Sequence, residues 1–392
     1  MRYWIVFLFL LLISCSKNGE RSDLKGVVRI LINSQMEIND GCSFELSRVL
    51  VPESKSGTLF KDINKVLVKN DLVYVLDAFG SKSAFIYRRD GSCVRRIGKQ
   101  GKGPAEFLNL IDFNINESSG YLEIMDSGAR LIQCYDSIGN YVKKIEIGFN
   151  AANFISFDEN YYFYMANRPS AYGDNTIKHN IITHDGYKIV NMSMPIKQLD
   201  GFYYRMRGFD KLIIDQQNAV YLNQRGSLEI CKIAGLAASP DIVIDFGKDF
   251  VSKEDFDRMT QDMNYYNYEV EKTNKVYALS TFRFLDNYLF FSYLKGGRVY
   301  YTVFNRDARK VNYNGTKEDF ILKFVGFSKG SVIGSFKDAL IVSIPASEFR
   351  LTAQKGNLGE EYESFASGGM FERIQDSSND IILFINIIPK KL

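Results

Sequence analysis

Val66-Leu67-Val68-Lys69-Asn70-Asp71-Leu72-Val73-Tyr74-Val75-Leu76-Asp77 holds two apolar runs on either side of the polar turn Lys69-Asn70-Asp71. Short runs of Val, Leu and Tyr bounded by Asn and Asp read as a β-hairpin. Two further runs follow, Ala84 to Tyr87 and, beyond Arg89-Asp90-Gly91, Val94 to Gly98. The pattern then returns as Ile111 to Ile115, Tyr121 to Asp126, Leu131 to Tyr135 and Tyr141 to Ile145. The strand-ending Asp77 and Asp126 are 49 residues apart, and Tyr87 and Tyr135 are 48 apart. Four antiparallel strands in about 40–50 residues is the period of a propeller blade. A single four-stranded sheet cannot bury its faces, so such units must stack side by side into a ring.

Weaker copies continue outward from this pair. The third comprises Phe154 to Phe157, Tyr161 to Ala166, Asn180 to His184 and Lys188 to Met194; the fourth, Phe209 to Asp215, Ala219 to Asn223, Ser227 to Ile233 and Ile242 to Phe246. The fifth comprises Thr281 to Leu285, Tyr288 to Tyr293, Arg298 to Asn305 and a short edge at Lys310 to Tyr313. The sixth is incomplete: strands are expected at Ile321 to Phe327, Val332 to Ser335, Ala339 to Ser343 and, after a long interruption, Ile381 to Ile388. One N-terminal strand, Val27 to Ile32 or Glu45 to Val51, is left over, and joining it to the last blade would close the ring and remove both exposed edges. The expected fold is all-β: a six-bladed propeller of four-stranded antiparallel blades, closed by an N-terminal strand, with helical insertions in the last blades. Seven blades is the alternative count.

The chain has 392 residues, 46% hydrophobic, and 49 basic against 46 acidic residues. So balanced a charge supplies no field for nucleic acid, which is set aside as a partner. Tyr and Phe are abundant at 24 and 30, and both favour strands. At the N-terminus Met1-Arg2 precedes an apolar run, Tyr3 to Ile13, and then Ser14-Cys15. That is the pattern of a secretory signal. The run is too short to span the roughly 30 Å of hydrocarbon, which takes about 20 residues. Leu12-Ile13-Ser14-Cys15 resembles the lipobox of bacterial lipoproteins, in which the Cys is lipidated; the plainer account is an ordinary signal peptide with an incidental Cys15. The expected organisation is signal peptide 1–14, lipidated Cys15 and polar tether 15–26, and propeller 27–392. This would be an outer-membrane lipoprotein of the cell envelope, facing the periplasm or the surface, held to the membrane by its lipid and monomeric.

Several segments resemble the bacterial six-bladed β-propeller lipoproteins, a group similar to NHL-repeat and TolB-type propellers. They are Glu45-Leu46-Ser47-Arg48-Val49, Asp77, Asp90-Gly91, Asn379 to Phe384 and above all Ile97-Gly98-Lys99-Gln100-Gly101-Lys102-Gly103-Pro104-Ala105-Glu106-Phe107. This last run is similar to a Gly-x-Gly-Pro-x-Glu-aromatic signature linking the first two blades. The likeness covers most of residues 27–390 and is strongest over 44–147. It implies the fold and supplies little about activity, because that group has no settled biochemical role.

No catalytic residue, metal ligand or cofactor is assigned. Gly98, Gly101, Gly103 and Pro104 lack the Gly-Lys-Ser/Thr ending of a phosphate loop and no helix pattern follows, so they are expected to shape a tight crossing between blades, with Phe107 capping the core. His179 and His184 are two where a catalytic zinc normally has three protein ligands. Asp77 and Asp126 fit strand-end carboxylates that accept turn N–H bonds. The separations of Cys42, Cys93, Cys134 and Cys231 match no metal pattern; disulfides are permitted, and thiols are the plainer reading.

The long connections, Asn167 to His179, Pro195 to Gly208 and Gly247 to Ser280 (the last with a helix-like Lys253 to Met263), all join strand two to three or one blade to the next. That places them on one face of the ring, with short turns opposite. The aromatic and basic residues there, Tyr203, Tyr204, Arg205, Arg207, Tyr265, Tyr266 and Tyr268, are candidates for binding a glycan, peptide or partner protein; otherwise they pack the insertions onto the ring. A propeller enzyme acting on a sugar or lactone is the alternative, on fold analogy alone.

Overall fold

The hairpin at Asn70-Asp71 forms as expected: both residues have positive φ, 49° and 63°, the twist that suits a two-residue hairpin turn. Around it Lys65–Lys69, Leu72–Asp77, Ser83–Tyr87 and Cys93–Ile97 pair antiparallel in sequence order as blade 1. This computed structural model describes residues 26–389 except 36, 40, 197–210, 225, 236, 366–368 and 370.

Blade 2 is Leu110–Ile115, Leu122–Asp126, Leu131–Tyr135 and Tyr141–Glu146. Blade 3 is Asn153–Phe157, Asn160–Tyr164, His179–His184 and Ile189–Pro195. Blade 4 is Leu212–Ile214, Val220–Asn223, Glu229–Ala234 and Ala237–Asp245, and blade 5 is Val276–Leu285, Tyr288–Lys295, Arg298–Asn305 and Lys310–Thr316. Blade 6 takes Ser331–Phe336, Ala339–Ile344 and Ile381–Pro389 from the C-terminal part and Cys42–Leu50 as its outermost strand.

The ring is thus closed by the N-terminal strand, paired from Cys42↔Pro389 to Leu50↔Ile382. The second leftover run is used as well. Val28–Leu31 adds parallel to the outer strand of blade 4, and Ile38–Asn39 adds antiparallel to blade 5. Together with the closing strand, this segment runs around the rim of three consecutive blades.

The sequence reading fails at Ile321 to Phe327, where Ile321 to Val325 are helix and not strand. Helix α3, Lys317–Val325 in chain order after α1 (Lys253–Gln261) and α2 (Met263–Lys272), begins at Thr316, whose hydroxyl accepts the Asp319 N–H, and ends at left-handed Gly326. A Thr cap three residues before an acid and a Gly stop are helix punctuation, and here they override the apolar run between them. Phe320, Ile321 and Val325 still reach the core, but from a helix.

The core is divided into wedges between blades. Separate clusters lie between blades 1 and 2, 2 and 3, 3 and 4, 4 and 5, 5 and 6, and 6 and 1. This is the expected consequence of sheets that bury their faces only against neighbours.

Candidate functional site

Among the described residues, the long connections lie on one face. They are the 165–178 connection of blade 3, with its own small hairpin Ser170–Tyr172 and Asn175–Ile177, and the α1–α2 hairpin between blades 4 and 5. With them are α3 between blades 5 and 6, and a 345–380 insertion in blade 6 containing α4 (Ala346–Gln354) and α5 (Glu360–Glu363). The opposite face carries turns such as 70–71, 158–159, 286–287 and 337–338.

The binding candidates divide. Tyr203, Tyr204, Arg205 and Arg207 fall outside the described residues. Tyr265 donates its hydroxyl to Asp255 at 2.7 Å, and the Arg258 guanidinium lies 4.0 Å from its ring centre. Tyr266 packs edge-on to Tyr277. These two rings hold the α1–α2 hairpin together and onto blade 5. Tyr268 is 57% exposed.

The Gly-rich crossing is a knot stabilised by its own glutamate. The Glu106 carboxylate accepts the Gly103 N–H at 2.8 Å and pairs with Lys99 at 2.6 Å, while its backbone carbonyl accepts the Gln133 amide. A Cβ on Gly101 would fall 2.0 Å from that carboxylate, and one on Gly98 2.6 Å from the Lys82 carbonyl. Pro104 lies between Gly103 and Glu106 in the turn, and Phe107 is buried against Tyr135. Asp77 accepts N–H groups of Lys61, Gly80 and Ser81, and Asp126 those of Leu108, Asn109, Gly128 and Ala129. Each strand-end aspartate thus ties its own second-to-third connection to the segment entering its blade.

His184 occupies the position of Tyr87 and Tyr135, 49 residues beyond the latter, each at a register shift against the outermost strand. Its ring lies between Phe149 and Phe163, its Nδ1 accepts the Gly186 N–H, and burial holds its imidazole below the ordinary range. This is an aromatic core position filled by histidine. The four cysteines stand on blades 6, 1, 2 and 4 as thiols, and burial pushes Cys134 and Cys231 up to about 12. Among the described residues no group of three His, Cys, Asp or Glu side chains is placed to hold a metal.

The axis holds what the sequence reading missed. Lys65 of blade 1 pairs with Asp112 of blade 2 at 3.0 Å, both buried, and Asp112 also accepts the Phe154 N–H of blade 3. Asn114 of blade 2 donates to Ser156 of blade 3, and Lys211 beside blade 4 donates to the Leu279 and Ser280 carbonyls of blade 5. These bonds brace successive inner strands. Below them a cavity of about 300 Å³ takes Val66, Asn114, Ile155, Asp215, Phe284 and Ser335, one residue from each blade. Glu117 and Asn218, in turns of the plain face, mark its mouth. The Gln216 amide, donating to the Lys337 carbonyl at 3.1 Å, links the blade 4 and blade 6 turns beside it. Asp215 ends a strand in the sequence reading, but its place on the axis follows only once the ring closes.

The sequence pattern of one family spans residues 33–386. The chain belongs to the family described as a domain of unknown function, DUF4934. No curated protein matches it in sequence. Among solved structures, this DUF4934 chain is similar to a Bacteroides fragilis protein described only as exported, at 18% identity and TM-score 0.74, covering 93% of this chain and 100% of that one. It is also similar to a DUF4221 member from Bacteroides vulgatus, at 9% identity and TM-score 0.53, covering 90% and 99%. Both likenesses show the fold of the DUF4934 chain. No helix among its described residues is long and apolar enough to cross a membrane.

Proposed function

We propose that this DUF4934 protein is an exported lipoprotein that serves as a binding or scaffold module. Cys15 carries the lipid, residues 16–26 form the tether, and the face bearing the insertions engages a glycan, peptide or partner protein. The observation that carries this reading is the segregation of the helices and long connections to one side of a rigid ring. Connections held on a rigid scaffold are where recognition usually resides. Lys65 and Asp112, buried on the axis, pair into a blade-to-blade brace, and that structural task favours binding over chemistry for this pair.

Two measurements test it. Cys15→Ala should move the protein from the membrane fraction to the soluble envelope fraction; unchanged membrane retention contradicts the lipid anchor. Tyr265 and Tyr266 have packing tasks, so the face is best probed by changing Tyr203, Arg205 and Tyr268 together to Ala. The soluble domain, residues 24–392, is then compared with that variant on glycan and peptide arrays. The reading expects the parent to bind a discrete set of probes and the variant to lose it; equal binding by both contradicts the face assignment.

A further inference from the structure

The plain face carries a site of its own, distinct from the recognition proposed for the face opposite. Asp215 lines the axial cavity and is 4% exposed. One carboxylate oxygen, Oδ1, accepts the N–H groups of Gln217 and Ala219 at 2.9 and 2.8 Å. The other, Oδ2, is buried with no hydrogen-bond partner among the described residues. A buried acceptor without a donor is destabilising, the more so when charged, so retaining one beside a cavity calls for an account. Aspartate χ2 is broad, so the carboxylate of Asp215 can adjust to present Oδ2 to the cavity that this residue lines.

The remaining lining narrows the ligand class. Lys65 and Arg283 place cations and Glu117 and Asp215 anions in the lining of the same cavity, so neither sign of ligand charge is favoured. Asn114, Asn218 and Ser335 add short polar side chains, and Ile155 and Phe284 add apolar surface. A ring whose hydroxyls donate and accept, and whose C–H faces are apolar, matches this mixture. At about 300 Å³ the cavity lies at the lower end of small-molecule sites, enough for one ring with its substituents leading out past Asn218.

We infer that the axial cavity on the plain face binds a neutral pyranose, as a free sugar or as the end of a glycan, with Asp215 Oδ2 accepting a sugar hydroxyl. The test is saturation-transfer NMR and calorimetry of residues 24–392 with methyl glucoside, methyl galactoside, methyl mannoside and N-acetylglucosamine. At least one should bind at millimolar concentration. Asp215→Asn keeps Oδ1 for the turn and should weaken that binding about tenfold or more with an unchanged melting temperature. Glu117→Gln at the rim should change it less than about twofold. The inference is overturned if no sugar of the panel binds the wild type, if Asp215→Asn binds as well as wild type, or if only ammonium compounds such as ethanolamine bind. Loss of binding on the Tyr203, Arg205 and Tyr268 variant, with Asp215→Asn unaffected, would overturn this site while leaving the proposed recognition face standing.

Discussion

Blades 1 and 2 and blades 4 to 6 meet the same structural demand with different material. The first pair is sewn from its own sequence: four strands each, two-residue or Gly-stopped turns, and a strand-end aspartate that satisfies the N–H groups of its connections. The later blades borrow. Blades 4 and 5 gain strands from residues 28–39, blade 6 takes its outermost strand from Cys42–Leu50, and α3 replaces part of a sheet pattern with a capped helix. Where a blade is complete in itself, repetition is visible in the sequence. Where it is completed from a distance, the local pattern is free to drift, and the helical insertions collect there.

The largest test of that contrast is deletion. Removing residues 26–50 strips blade 6 of its outer strand and takes Cys42, Phe44, Leu46 and Val49 from the wedge between blades 5 and 6. We expect no cooperative thermal transition by circular dichroism. Removing only residues 26–32 takes Ile30 and Ile32 from the wedge between blades 4 and 5, roughly 1.5–3 kcal/mol for each, and should leave a folded ring that melts lower. Equal damage from both deletions would show that the segment acts as one clamp and not as a closing strand with an added rim.

Asp112→Asn comes next. It leaves Lys65 buried beside a neutral amide, and breaking a buried pair from one side costs about 3–5 kcal/mol, measured by urea denaturation. A loss under about 1 kcal/mol would mean that the axial brace contributes no more than a surface pair. Asp126→Ala follows at about 1–3 kcal/mol, since Leu108, Asn109, Gly128 and Ala129 lose their acceptor. The damage should show as faster proteolysis at residues 99–109, with blades 4 to 6 unaffected.

The smallest expected effect concerns His184. Burial lowers its imidazole in the folded state, whereas in the unfolded chain it titrates near 6.5. On acidification the unfolded chain therefore takes up the proton first, so this contribution is full above about 6.5 and is lost as pH falls through that value toward the lower folded one. His184→Gln should flatten the fall in melting temperature over that window; an unchanged slope contradicts a buried neutral imidazole.

Much of this is legible in the sequence alone. The strands of blades 1 to 3, the closing role of an N-terminal strand and the side carrying the insertions all follow from period-two runs and turn residues. What was not legible depends on ring closure or on helix caps. Lys65 and Asp112 are 47 residues apart and meet only because adjacent inner strands line one axis. Asp215 and Phe284 share a cavity for the same reason. The helix at Lys317–Val325 was signalled by Thr316, Asp319 and Gly326, but the apolar spacing of Ile321 to Phe327 drew the reading toward strand.

Hydrogen exchange read residue by residue tests the central claim most directly. If Cys42–Leu50 completes the last blade, the amides of Phe44 to Leu50 that pair with Ile381–Pro389 should be protected to the same level as Val73 to Leu76 in blade 1, and should be lost together with them in one global opening. Rapid exchange at residues 44–50 while blade 1 stays protected would mean an open ring with a loose end.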